Sequence, residues 1–307
     1  MTYAARIILD SIGPNGARLT TFEVTMPRIV LAEFNTHRMF SRNSASSRAI
    51  PVEKMLARVK EHPFFPAYWG KNQKGMQADV ELTSQEQDEA AYEWSRAADE
   101  MIARAEKLRV IGVHKQITNR LLEPFMWHTV VFTATELTNF FALRDSRMAA
   151  PEIQKPAHLI VEAYENSKPM QLRAGEWHLP FVAFQELLRG HDGEWFGAIL
   201  PTQEDWIYWA KVSAARCARV SYLTHEGKRD PNADVELYER LVSQGHMSPL
   251  EHPAMALTEL QWREQAREAA QLWAEQRIPV GNFWGWRQLR KELSHEHDFS
   301  LLQPVRQ

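Results

Sequence analysis

The stretch "TFEVTMPRIVLAEFNTHRMFSRNSASSRAI", residues 21–50, decides how the chain is read. Its opening, Thr21 to Met26, has the β-branched and aromatic character of a strand, and "IVLAEF" is an apolar run behind Pro27. The polar part that follows gathers His37, Arg38, Ser41, Asn43, Ser44, Ser46 and Arg48 within a dozen positions. Such a segment is either a solvated serine–arginine loop or a shell of donors around an anion. The strand-like and apolar flanks place it inside a folded region. Arginine forks with hydroxyl and amide donors suit a phosphate or a planar heterocycle.

Before this stretch, "ARIILDSIGPNGARLTTFEVTMP" reads as two strands joined at Gly13-Pro14-Asn15-Gly16. After it, Pro51 opens a short amphipathic helix, "VEKMLARVKE", and residues 62–83 read as a long surface loop. Ser84 with Gln87 predicts a capping box for a helix whose apolar positions include Tyr92, Trp94, Ala98, Met101 and Ala105. A second helical run covers 113–122 and stops at Pro124, a third reaches "TNFFALR", and a fourth covers 151–169. Residues 169–205 read as loops and short apolar pieces. A turn at 227–232, a helix "ADVELYERLVSQ" ended by Gly245 and a helix around 261–277 follow. The segment "GNFWGWRQLRKEL" reads as an amphipathic helix with its tryptophans in the core. Its alternative role is a ring-stacking surface with Arg287 and Arg290 near phosphates. The expected architecture is α+β, helices packed on a mainly antiparallel sheet. It forms one catalytic domain, 1–307, with 169–205 as the only place for an internal boundary.

Composition narrows the function classes. With 44% apolar and 24% charged residues and a net charge of −3, the chain has ordinary globular values and no electrostatic reason to bind nucleic acid. The single cysteine, Cys217, excludes an intrachain disulfide and a thiolate metal cluster, and its apolar context reads as a buried small residue. The start "MTYAARIILD" lacks the pattern of a signal peptide, and no apolar run reaches the ~20 residues of a membrane span, so a cytoplasmic protein is expected.

Two further clusters hold polar groups in telling places. Arg120 and Arg144 each end a helical turn, where an arginine satisfies free carbonyls. Asn139 sits amid Leu137, Phe140 and Phe141, where a polar side chain needs a partner. In "GHMSPLEHP", residues 245–253, Ser248 and Glu251 read as a capping box, and the free N–H groups of that helix start suit an anion. His246, Glu251 and His252 lack a further ligand at metal spacing, so no metal is expected. "HEH" at 295–297 reads as a solvated cluster.

Taken together, the three clusters resemble the flavin-dependent thymidylate synthases. The family signature R-H-R-x-x-S-x-N-x-x-S-x-R-Y is similar to T-H-R-M-F-S-R-N-S-A-S-S-R-A over 36–49. "NRLLEPFMWHT" with "TNFFALRDSRMAAPEI" resembles the stretch holding two nucleotide-binding arginines, and "AARCARVSY" with "LVSQGHMSPLEH" resembles the segment that contributes a flavin-contacting helix start. In the family that last segment comes first. Here it follows the others, which reads as a circular permutation, a rearrangement tolerated because chain termini lie at the surface.

The resemblance implies FAD as cofactor, with NADPH and methylenetetrahydrofolate as co-substrates, and conversion of dUMP to dTMP. It implies flavin contacts from His37, Arg38, Ser41, Asn43, Asn139, His246, Ser248 and Glu251. It implies nucleotide contacts from Glu33, Ser44, Ser46, Arg48 and Arg120, with Arg144 as the catalytic group beside the pyrimidine. It also implies a homotetramer whose active sites are shared between subunits. The chain departs from the pattern at Thr36 and Ala49, at Glu33 where the family has glutamine, and at Met148-Ala149-Ala150. These departures leave open hydroxymethylation of dUMP or dCMP, or a non-catalytic nucleotide-binding relative.

Overall fold

The computed structural model describes residues 2–194, 201–222, 229–274, 282–294 and 296, with the side chains of 268–274 outside the description. The chain opens with an antiparallel hairpin, β1 (Ala4–Ile12) and β2 (Arg18–Pro27). Its turn is held by Asn15, which accepts from the Ala17 amide at 2.9 Å. A short helix, α1 (Leu31–Phe34), leads to the edge strand β3 (Ser41–Ser44). Next come α2 (Val52–Glu61), the long α3 (Ser84–Ile111) and one turn, α4 (Lys115–Thr118), which runs into a 3-10 segment over Asn119–Phe125. The central strand β4 (Trp127–Ala134), α5 (Thr138–Arg144) and α6 (Pro151–Glu165) follow. After β5 (Met170–Gln171), β6 (Trp177–His178) and α7 (Phe184–Leu187) come α8 (Gln203–Ala218) and α9 (Pro231–Ser243). A 3-10 turn at Ser248–Glu251, β7 (Ala254–Ala256), α10 (Glu259–Ala274) and β8 (Trp286–Gln288) complete the described chain.

Five strands form the main sheet in the order β3-β4-β2-β1-β5, antiparallel except for the short β1–β5 pair. The two-residue period of the strands gives the sheet two different faces. One face carries Phe22, Val24, Met26, Val130 and Phe132, all without exposure, packed against Phe34, Phe140 and the apolar side of α6. The other carries Thr21, Thr25, Thr129, Val131 and Thr133, and is covered at Val131 by Phe181, Cys217 and Val220. A polar face is thus buried in the middle of the molecule. A second sheet, β6-β7-β8, seats Trp286 in a smaller core with Leu19 and Phe283. A third core lies where α2 meets α3 and the 119–125 segment.

Four expectations change. The run from Pro124 toward "TNFFALR" is not one helix, because Trp127–Ala134 pairs with strands on both sides. A central strand buried on both faces loses the alternation that marks strands in sequence. The cap of α3 is Thr83 with Glu86, one residue earlier than Ser84 with Gln87, and Tyr92 on that helix is exposed. Ser248 and Glu251 form a single 3-10 turn without a capping bond, so no helix N-terminus stands there. "WRQ" in the last segment is a strand rather than part of a helix. It buries Trp286 while Trp284 stays half-exposed. Parts of the 227–232 turn, the end of the helix expected to reach 277, Gly281 and most of "HEH" lie outside the described residues.

Candidate functional site

The edge strand β3 sorts the signature residues by parity. Ser44 pairs in register with Val130 and so takes the apolar face. Ser41 and Asn43 take the polar face. Ser41 is buried and accepts from Gln288 Nε2 at 3.1 Å and from Asn282 Nδ2 at 3.3 Å. Asn43 reaches further, donating from Nδ2 to Ser248 Oγ at 3.3 Å while its Oδ1 faces His252 Nε2 at 2.9 Å.

Beside Asn43 opens a cavity of about 970 Å³. Ser46, Arg48, His246 and Ser248, all named from the sequence, line it. Lys115, Arg219, Ser221 and Arg240 line it too, and none was singled out beforehand. Among the described residues, four cationic side chains and no carboxylate stand in this wall. Two of the four, Lys115 and Arg219, are placed by separate devices. Lys115 Nζ donates to the Ala49 carbonyl at 2.9 Å, and the Ser46 amide donates to the Ser221 carbonyl at 3.1 Å, which ties the signature loop to the end of α8. Arg219 is held by Asp234 Oδ1 at 2.7 Å. Asp234 is fully buried and also binds Arg216 Nε at 2.8 Å, and Arg216 in turn forks onto Glu186. A sequence clue existed in the i,i+3 spacing of Arg216 and Arg219 around the apolar "CA" at the end of α8.

Arg144 forms a second cluster, on the apolar side of the sheet. Its Nε donates to His37 Nε2 at 3.0 Å, its Nη2 donates to Thr36 Oγ1 at 3.2 Å, and its Nη1 lies 3.8 Å from Glu33 Oε2. His37 is buried between Phe40 and Phe140, and its carbonyl accepts from Arg42 Nη1 at 2.8 Å. Burial, and after it the charges of Arg144 and Arg42, push the His37 ring below its ordinary pKa, so it accepts as a neutral imidazole. Thr36, in place of the signature arginine, thereby becomes a ligand of Arg144.

Other expected residues fall elsewhere. Asn139 faces solvent near the start of α5 and bears none of the burial that singled it out. Arg120 is exposed on a separate cleft with Arg28, Asn35 and Glu123. Arg38 is exposed in the turn before β3. The Glu251 carboxylate pairs with Arg290 at 2.6 Å, and Arg287 pairs with Glu292 at 2.8 Å. Cys217 is wholly buried and its thiol is pushed well above the usual range by that burial. Among the described residues no group of three or more His, Cys, Asp or Glu is placed to hold a metal ion, and no helix is long and apolar enough to cross a membrane.

The fold and the site define a class: an α+β protein with a cation-lined cavity at a sheet edge, a surface suited to an anionic ligand. Residues 18–170 match the family model described as thymidylate synthase complementing protein. The chain belongs to that family, the flavin-dependent thymidylate synthases, and is a thymidylate synthase-like enzyme. The match ends before residues 245–253, which nevertheless pack on β3 through Asn43. Two crystal structures of a UMP/dUMP methylase, PolB from Streptomyces cacaoi, are similar. The complex with 5-Br UMP has 16% identity and a TM-score of 0.44 over 53% of this chain and 88% of that one. The complex with 5-Br dUMP has 19% identity and a TM-score of 0.40 over 49% and 68%. No curated protein sequence matches the chain.

Proposed function

We propose that the protein methylates C5 of a uridine-type monophosphate, with dUMP as the leading substrate, FAD as cofactor, methylenetetrahydrofolate as one-carbon donor and NADPH as reductant. One observation carries the reading: a cavity beside the signature strand is lined, among the described residues, by four cations and no carboxylate. Its size, about 970 Å³, is at the upper end of ligand pockets and suits a nucleotide or part of a dinucleotide.

The residues present fit FAD. Asn43, Ser248 and His246 would meet it, with Arg219 and Arg240 available to its pyrophosphate. Flavin supplies the redox chemistry of the transfer when bound. Ser46 and Arg48 would hold the nucleotide. Substitution at C5 pushes charge onto the O4 edge of the pyrimidine, and a guanidinium held in place beforehand stabilises that charge without reorganising. Arg144 is so held, by the neutral His37 ring and by Thr36. Arg144 is not among the lining of the cavity. This separation supports a site completed between copies of the chain, in keeping with a homotetramer.

A second reading rests on Glu33, whose carboxylate stands beside Arg144. A carboxylate there accepts from an exocyclic amine, which would favour dCMP, with hydroxymethylation as the related chemistry. The test is incubation with excess FAD, desalting and a visible spectrum, followed by product analysis with dUMP and dCMP. A retained flavin band and 5-methyl product from dUMP are expected. A 5-hydroxymethyl product or a preference for dCMP replaces the first reading by the second. Nucleotide binding without flavin or turnover would leave a non-catalytic relative.

A further inference from the structure

The buried polar face of the sheet holds a continuous chain of side-chain hydrogen bonds that ends at the cavity. Ser11 Oγ lies 2.8 Å from His178 Nδ1, and His178 Nε2 lies 2.8 Å from Thr21 Oγ1. Thr21 and Thr133 are 2.7 Å apart through their hydroxyls, and Thr133 is 2.8 Å from His252 Nδ1. His252 Nε2 meets Asn43, which meets Ser248. Ser11, His178, Thr21, Thr133 and His252 have no exposure at all, so water cannot repair a break among them. Ser248 is exposed and lines the cavity.

Each hydroxyl and each neutral imidazole on this path has one hydrogen to give. If each of these hydrogens is used along the path, the chain runs in one of two ways, every bond pointing toward the cavity or every bond pointing away, because a hydroxyl that accepted on both sides would leave its own hydrogen buried without an acceptor on the path. Burial pushes both rings down to a pKa of about 3, which keeps them neutral and keeps this restriction in force. With Asn43 Nδ2 toward Ser248, the sense is fixed: Ser11 donates to His178, His178 to Thr21, Thr21 to Thr133, Thr133 to His252, His252 to Asn43, and Asn43 to Ser248. The Ser248 hydroxyl hydrogen is then free to point into the cavity. In the opposite sense Ser248 would spend its hydrogen on Asn43 and show the cavity only lone pairs.

We propose that this chain is a positioning device, with His252 as its key residue, that makes Ser248 a donor to an acceptor oxygen of the bound anion. The inference rests on the proposed function, which places a nucleotide or flavin oxygen in the cavity. Neither threonine of the chain lines the cavity, so their effect on a ligand must pass through His252 and Asn43.

Two measurements on the full-length protein test it. Ring-nitrogen NMR of 15N-histidine protein, with His252 and His178 assigned from His252→Gln and His178→Gln, should find both rings carrying hydrogen on Nε2. Hydrogen on Nδ1 of either ring overturns the proposed sense. Binding of dUMP by equilibrium dialysis and of FAD by fluorescence should then be compared for wild type, Thr133→Val and Thr25→Val. Thr25 is on the same face, paired with Thr129 and off the chain. Thr133→Val should weaken at least one ligand by roughly fivefold to tenfold, the loss of about one hydrogen bond, and Thr25→Val neither. The ligand that responds is the one whose oxygen Ser248 meets. A folded Thr133→Val protein that binds both as wild type overturns the positioning role. Wild-type protein that takes up neither ligand instead overturns the function reading, while the tautomers still decide the sense of the chain.

Discussion

His37 illustrates how a signature residue acts through a neighbour. Its ring is packed by Phe40 and Phe140 and its Nε2 accepts from Arg144, so packing and hydrogen bonding can be separated by substitution. His37→Phe keeps an aromatic ring in the slot and removes the acceptor. A hydrogen bond to a charged group is worth ~1.5–3 kcal/mol, so kcat should fall on the order of 10-fold to 100-fold. The thermal midpoint should move little. Steady-state kinetics with dUMP check this, and unchanged kcat would remove His37 from the role. The pH profile gives an independent reading. The ring titrates below its ordinary value, so wild-type activity should hold down to about pH 6.5 and fall below it as the protonated ring repels Arg144. His37→Phe should lack that limb. The donors of residues 36–48 were legible because arginine, serine and asparagine at short spacing have few other uses inside a fold. Asn139 misled because its apolar neighbours in sequence lie on the other side of a helix, so a polar residue among them can still face solvent.

At the scale of elements, the buried ion cluster between α8 and α9 decides the shape of the cavity wall. Asp234 joins Arg216 and Arg219, and Leu237, Arg240 and Leu241 on the same helix face the cavity. Removing one partner of a buried pair costs ~3–5 kcal/mol, because the remaining charge is left without water. Asp234→Asn should therefore lower the stability read from urea unfolding by ~3–5 kcal/mol, and Lys211→Met, at a partly exposed pair with Glu239, should change it by less than ~1 kcal/mol. Equal effects of the two substitutions would contradict the assignment. Elements were legible from sequence where a surface face contrasts with a core face, as in α2 and α9, or where a tight turn intervenes, as in the β1–β2 hairpin. β4 was not, since both its faces are buried and its run of apolar residues continues toward α5. Cavity residues such as Arg240 and Lys115 were missed because separate helices bring them together. Charges at their spacing are ordinary on solvated helix faces.

Over the whole molecule, the three most deeply buried histidines among the described residues make the fold sensitive to acid. His128, His178 and His252 are at most 2% exposed, and burial holds each near a pKa of about 3. In the unfolded chain they titrate near 6.5. Between these values the unfolded state binds more protons, so stability is complete above about pH 6.5 and declines as the pH falls toward 3. Three such groups give a limiting slope of ~4 kcal/mol per pH unit. The lowered pKa of His37 adds in the same direction. His191, raised mainly by its bond to Asp205, opposes it from an exposed site. Carboxylates in the unfolded chain take up protons chiefly below about pH 5, so the interval from 6.5 to 5.5 isolates the histidines. Urea unfolding at pH 7.5, 6.5 and 5.5 should show a loss of ~4 kcal/mol across the series, a large part of the 5–15 kcal/mol typical of a folded protein. His128→Gln, at a ring outside the cavity and off the polar chain, should reduce that loss by about a third through linkage alone. Stability that stays level from pH 7.5 to 5.5 would mean the three rings take up protons without unfolding. The polar layer beneath the main sheet would then be open to water, and the directional chain that ends at Ser248 could not keep its sense.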